Sequence, residues 1–195
     1  MRGSVKSLID RRKPKVYPHL LALILHCEAR RQARLDRDGC YVPLLKHDTK
    51  LWNRSLMIEA EQHLWQAAGF GRPGPFQIEA AIQSAHNRRA FDGLIPWPDI
   101  LMLYQKLIQL RDTLRARVAY AGALGLAQQP DSGLEQLDQL SDEDVRTYQP
   151  YWAVRWHLLL ALGRIQDSKH CRLRAIELSN DRAVRLFLEA GEMNF

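Results

Sequence analysis

What the chain lacks narrows its chemistry first. Among 195 residues there are three cysteines, Cys27, Cys40 and Cys171, and no two of them form a CxxC pair. That number and spacing argue against a disulfide framework and for reduced thiols. Zinc needs about four converging ligands, whereas His26 and Cys27 are adjacent and point about 100° apart on a helix. No metal site is expected. No apolar run approaches the roughly 20 residues of a membrane span. The best, Leu20–Leu25, is followed at once by Glu28, Arg30 and Arg31, with no small-residue cleavage site. A cytoplasmic protein without a membrane partner is the expectation.

Catalytic signatures are missing as well. Gly71-Arg72-Pro73-Gly74-Pro75 lacks both the GxxxxGK[ST] and the GxGxxG pattern, and its prolines remove amide donors, so it reads as a helix-breaking connection. The seven histidines form no HExxH pair. His47-Asp48 has the composition of a base and its orienter, but neighbours in a loop seldom reach that geometry, and Asp48 is better placed as a helix cap. Ser55 and Ser84 have no nucleophile-elbow glycines around them. No catalytic residue and no cofactor are expected.

Charge is distributed unevenly. Residues 1–40 hold ten Lys and Arg against four Asp and Glu, while residues 41–195 hold eighteen of each, so the whole net charge of +6 lies in the N-terminal fifth. Arg11, Arg12, Lys13 and Lys15 belong to a basic arm, residues 1–17, punctuated by Pro14 and followed by Pro18. Such an arm is a solvated end or a phosphate-backbone contact working by counterion release. Arg30, Arg31 and Arg34 follow an apolar helix. They are a solvated helix end, an internal set pairing with Asp48 or Glu59, or a groove for an acidic partner segment, for which the arginine fork is suited.

Residues 18–195 read as one all-α domain of about eight helices joined by short connections. The first helix is expected over Leu20–Arg34. Asp38-Gly39 marks a turn, and Cys40–Leu45 is a short extended piece in which Pro43 opposes a central strand. Asp48 is expected to cap the helix bearing Trp52, Leu56, Ala60, Leu64 and Ala67. Gln77–Asn87 follows, then a helix from Pro98, with Ile100, Leu103, Leu107, Ile108 and Leu114 on one face. Ala116–Ala127 stops at Pro130, and Ser132-x-x-Glu135 is a capping-box pattern. Thr147–Leu162 is apolar nearly all round, as an interior helix should be. Asp167–Leu178 and Asp181–Gly191 complete the set. Most of the five tryptophans are expected in the core; one exposed on a concave helical face would mark a partner site.

Trp152, Leu159, Leu162-Gly163, Ser168, Ala175 and Asn180 follow the logic of a tetratricopeptide unit, with a bulky residue on one helix, Gly at the turn and small residues on the next. Trp156 and Asn180 depart from it, standing where a small residue and Pro are usual. A tetratricopeptide-like array of helical hairpins is expected, with Ile100–Ala127 a diverged copy.

Leu20–His26, Arg30-Arg31-Gln32-Ala33-Arg34, Gly39, Leu44, Asp48 and Trp52 carry a resemblance to a known family. It continues through Gly74-Pro75-Phe76-Gln77-Ile78-Glu79-Ala80-Ala81-Ile82, His86, Trp97, Ile100, Leu103-Tyr104, Leu162-Gly163-Arg164 and Phe187-Leu188. Together they resemble the C-terminal, tetratricopeptide-like region of one group of bacterial extracytoplasmic-function RNA polymerase sigma factors. The likeness runs over about residues 20–188; its arginine-rich and Gly74–Gln77 segments are the specific parts. Departures are His47 for Gln, Thr49 for Arg, Ile95-Pro96 for Thr-Asp, and a loose Arg115-Ala116-Arg117-Val118-Ala119.

The resemblance implies a non-catalytic interaction and regulatory domain of transcription, in bacteria. Its partner would be a sigma factor or an RNA polymerase component, met at Arg30, Arg31, Arg34, Asp48, Trp52, Gln77 and His86. Residues 1–19 leave no room for the family's promoter-reading domains, so a stand-alone relative or a truncated product is expected. Oligomeric state, partner identity and sign of regulation are left open. A nucleic-acid-associated accessory protein using Arg11, Arg12, Lys13 and Lys15 is the alternative, and an enzyme with a deep pocket of perturbed groups is the third reading.

Overall fold

The computed structural model of the chain describes residues 17–191. The basic arm, with Arg11, Arg12, Lys13 and Lys15, falls outside that range except for Tyr17. The described residues are all-helical: α1 Pro18–Glu28, α2 Arg54–Ala68, α3 Pro75–Asn87, α4 Arg89–Asp92, α5 Trp97–Leu110, α6 Leu114–Leu126, α7 Pro130–Asp138, α8 Asp142–Val145, α9 Gln149–Ala161, α10 Ile165–Glu177 and α11 Arg182–Ala190. The single turns α4 and α8 apart, this matches the array of about eight helices that the periodicity predicts. Among the described residues, β-pairing is confined to one isolated antiparallel bridge, Leu35 with Tyr41.

Local chemistry sets most of the boundaries. Asn53 caps α2 by accepting from the Leu56 amide at 3.1 Å, Thr113 caps α6 through Ala116 at 3.2 Å, and Asp181 caps α11 through Ala183 at 2.8 Å. Proline occupies the first turn of α1, α3, α5, α7 and α9, where its missing N–H costs nothing. Gly163, at φ 70°, closes α9 in a conformation other residues resist.

Several expected boundaries move. Leu114, expected on the face of the helix from Pro98, opens α6 after that helix ends at Leu110, and Pro75, expected to break a helix, opens α3. Asp48 caps a 3-10 turn, Thr49–Leu51, rather than α2; Asn53 takes the helix. Pro130 opens α7 instead of merely ending α6, so Ser132 lies inside the helix and caps nothing. The first helix ends at Glu28, and a separate 3-10 turn holds Arg31–Ala33. There the Ala29 carbonyl accepts the Asn53 amide at 2.8 Å, while the Ala33 amide turns to Arg30 O at 3.1 Å. A bond from outside the helix thus replaces the one that would have continued it.

The helices pack in succession: α1 on α2 and α3, α3 on α5, α5 on α6, α6 on α7, α9 on α6, α7 and α10, and α10 on α11. The tetratricopeptide-like signal falls on the α9–α10 pair. The main apolar core surrounds α9, where Trp156, Leu158 and Leu159 meet Val118, Leu134, Leu137 and Leu188. Gly133 makes the close approach of α7 possible: a Cβ there would lie 2.8 Å from the Ala121 carbonyl oxygen and 2.9 Å from Leu158. A second cluster, with Ala29, Ala33, Trp52, Met57 and Ala90, holds the N-terminal end.

Candidate functional site

The N-terminal helices bury polar groups where the C-terminal ones bury leucines. His26, Arg30, His86 and Asn87 all lie inside, Arg30 with 5% of its surface exposed. The Asn87 amide donates to His26 Nδ1 at 2.9 Å, which leaves the imidazole proton on Nε2, 3.5 Å from the Glu61 carboxylate. Burial, and then the Arg30 charge, push the His26 pKa down to about 4. At neutral pH His26 is therefore uncharged, and its approach to Glu61 is a long polar contact rather than an ion pair. Glu61 also accepts from the Ser84 hydroxyl. His86 lies edge-on to Trp97, ring centroids 5.8 Å apart, and burial depresses it likewise to about 4.

Arg30 sits at the junction of α1 and the following turn. One of its amino groups donates to Gln83 Oε1. The guanidinium lies 5.9 Å from the Trp52 ring centroid, and Arg89 approaches the same indole at 5.1 Å. The Cys27 thiol is beside it. No carboxylate among the described residues pairs with Arg30, and its Nη1 has no hydrogen-bond acceptor. Burial lowers its pKa. The internal pairing with Asp48 or Glu59 allowed by the sequence is not made: Asp48 is exposed and its carboxylate holds the Lys50 amide at 2.9 Å.

After α1 the chain doubles back. Asp36 Oδ1 accepts the amides of Asp38 and Cys40 at 2.9 and 2.8 Å, and Gly39 takes φ 77°, as the Asp38-Gly39 signal requires. Residues 41–47 then form a strap, extended through Pro43 and wound into a 3-10 turn at Leu44–Lys46, so the extended piece expected over Cys40–Leu45 stops short. Arg89 grips its far end, donating to the carbonyls of Leu44 (3.1 Å), Leu45 (2.7 Å) and His47. His47 Nε2 donates to Val42 O at 3.0 Å. At the near end the Tyr41 amide donates to Ala183 O at 3.2 Å, and the Tyr41 ring meets Phe187 edge-on with centroids 5.6 Å apart.

Two hollows flank the strap. One, about 260 Å³, separates Pro43, Leu44 and Leu45 from a groove of Gly122 and Leu126 on α6, Val154 and His157 on α9, and Phe187 on α11. The other, about 510 Å³, is lined by Arg30, Arg31 and Arg34 together with Tyr41, Leu44, His47 and the start of α11. The predicted arginines thus share one cleft, with Trp52 beneath Arg30. Asp48, Gln77 and His86 are not part of its lining; Gln77 stands about 14 Å along α3 from His86, from nine residues of helical rise. Of the tryptophans, Trp52 and Trp156 are buried, but Trp65 is 77% exposed on α2, against the expectation of a core role.

Sequence reasoning passed over Arg89, Tyr41, Gln83 and Asn87. Nothing local marks Arg89, whose partners are carbonyls more than forty residues away. Among the described residues no group of three His, Cys, Asp or Glu side chains converges as a metal set, and no helix is long and apolar enough to cross a membrane.

Over residues 5–68 the chain matches DUF6596, a family of unknown function. That stretch contains α1, the three arginines, the strap and Trp52. The chain is 32% identical over 169 residues to an uncharacterized protein of Rhizobium meliloti (strain 1021), an alignment covering 87% of this chain and 40% of that protein. The chain therefore spans less than half the length of this curated relative. No solved structure matches it.

Proposed function

We propose that this chain is a non-catalytic protein-interaction module with a regulatory role in transcription, acting as the C-terminal region of extracytoplasmic-function sigma factors is thought to act. Its partner is a sigma factor or an RNA polymerase component, and its working surface is the groove between α6, α9 and α11. The observation that carries this reading is the strap itself. Tyr41–Pro43 cross that groove in extended form before the chain enters a 3-10 turn at Leu44–Lys46; Leu126, Val154 and Phe187 line the opposite wall, and one main-chain bond ties Tyr41 to Ala183. A helical groove that holds its own extended segment has the shape and chemistry to hold another. The hold of Tyr41 on α11, one backbone bond and one aromatic edge contact, is modest, worth about 1–2 kcal/mol in total, so an incoming segment can displace that contact while Val42 stays bonded to Arg34 O and Arg89 keeps Leu44 and Leu45.

The test uses the chain as bait in bacterial lysate, probing the retained fraction for sigma factors and RNA polymerase subunits. Retention by the native chain, reduced severalfold by Leu126→Glu in the groove wall and unaffected by Arg111→Glu on the exposed end of α5, is the expected result. Absence of both proteins from the native retained fraction, with the chain folded, removes the transcriptional reading.

A further inference from the structure

We infer that the cleft walled by Arg30, Arg34 and His47 is a binding site for an organic carboxylate with a short apolar body. Its charge pattern is one-sided. Arg30 forms the inner wall and Arg31 and Arg34 the outer, and the acidic side chain in the lining, Asp181, already has its carboxylate on the Ala183 and Val184 amides of α11. Arg31 is paired with Glu28 at 2.6 Å. Arg30 has no carboxylate partner among the described residues, and its Nη1 lacks an acceptor.

A buried cation without a counterion is an expensive arrangement in a folded protein, since removing it from water costs several kcal/mol unless an anion offsets the loss. Here the guanidinium is also held in place, by Gln83 on one amino group and by the Trp52 ring, which Arg89 also approaches. The fork is oriented before any ligand arrives, so little entropy is lost on pairing with a planar carboxylate. Around these charges the walls are apolar: Leu35, Leu44, Val184 and the Tyr41 ring. A bare, strongly hydrated anion would leave that surface wet, whereas an acid carrying a few methylenes covers it. A volume of about 510 Å³ suits a body of side-chain size. The acid has two sources, a free small molecule or an acidic residue beside an apolar one in a peptide. This site does not depend on the groove reading above: Tyr41 and Leu44 border both hollows, but the arginines and the probes belong to this one.

Calorimetric titration of the full chain tests it with four probes: octanoate, octanamide, inorganic phosphate and an acetylated Leu-Glu-Leu-Glu-Leu-Glu peptide. Octanoate should bind saturably, with octanamide and phosphate each weaker by about tenfold or more. Arg34→Glu, an exposed position, should weaken octanoate by about tenfold with an unchanged melting temperature. Arg30→Met should abolish binding, and its circular dichroism shows whether the fold is intact. A peptide that binds tighter than octanoate identifies the peptide as the source; one that binds no tighter identifies the free acid. Octanamide equal to octanoate, phosphate equal to octanoate, indifference to Arg34→Glu, or no saturation with either acid overturns the proposal. A sigma factor retained through Leu126 while octanoate fails to bind would leave the groove reading standing without this site; the converse result would do the reverse.

Discussion

Around α9, the side chains taken from water are Leu134, Leu137, Trp156, Leu158, Leu159 and Leu188. Around α1, those buried as deeply include His26, Arg30, His86 and Asn87, set among alanines. The first arrangement is what a scaffold needs, because each buried methylene contributes about 0.8 kcal/mol and demands no partner. The second obtains less from the hydrophobic effect and must satisfy every polar group. It fails to do so at His26 Nε2, Arg30 Nη1, His47 Nδ1, Trp52 Nε1, His86 Nδ1 and Asn87 Oδ1 among others, and two of the residues concerned, Arg30 and His47, line the basic cleft. The comparison separates a region built for stability from one whose interior is arranged around charge.

Acid should break that contrast most strongly. His26 and His86, and on α9 His157, remain neutral in the fold down to about pH 4, while in the unfolded chain they take a proton below about 6.5. Their folded pKa values are depressed, so stability is level above pH 6.5, falls between 6.5 and 4, and levels again below. The loss is roughly 2–3 kcal/mol for each histidine across that window. Urea unfolding at pH 7, 5.5 and 4.5 measures it, and hydrogen exchange should show α1 and α3, which carry two of the three histidines against one on α9, opening first. Flat stability across the window would mean that these imidazoles are not desolvated as described.

Next in size is Leu158→Ala, which empties the apolar core and should cost about 3 kcal/mol. Gly133→Ala should cost a similar amount for the opposite reason, because its Cβ would meet the Ala121 carbonyl at 2.8 Å. Thermal melts check both, and a loss under about 1 kcal/mol for either would show a looser core than the contacts imply. Arg30→Met should change stability by no more than about 1 kcal/mol, in either direction, because an unpaired buried charge is exchanged for apolar volume. A loss as large as that of Leu158→Ala would instead make Arg30 a structural keystone. Asn53→Ala should cost about 1 kcal/mol, from one lost cap.

Much of the helix pattern is legible in the sequence. Pro98 marks a first turn, Asp38-Gly39 marks the reversal and Gly163 ends α9, each for a reason within a few residues of itself; Pro18 and Pro75, read as an arm boundary and a helix breaker, also open helices. The boundaries that moved did so for reasons further off. The continuous periodicity of Leu20–Arg34 gives no sign that Asn53 will claim the Ala29 carbonyl and end the helix at Glu28. Asp48 and Asn53 are both competent caps; which one opens α2 depends on where the intervening turn must sit to place Trp52 under Arg30.

The site divides along the same line. Clustering of Arg30, Arg31 and Arg34 is visible in the sequence because they are near neighbours. Their division of labour is not: Arg30 is buried, Arg31 is paired with Glu28, and Arg34 is left on the rim. Arg89 is invisible as the clamp on the strap, since its acceptors are main-chain carbonyls that every residue possesses. Helix class, turn positions and the uneven charge are properties of short stretches, set by propensity, capping and hydrophobic period, and the sequence by itself determined them. Which cation is stranded without an anion, and which extended segment lies across which groove, depend on groups brought together from distant parts of the chain; only the packing of α1, α3, α9 and α11 decided them, because burial and pairing are properties of neighbours in space.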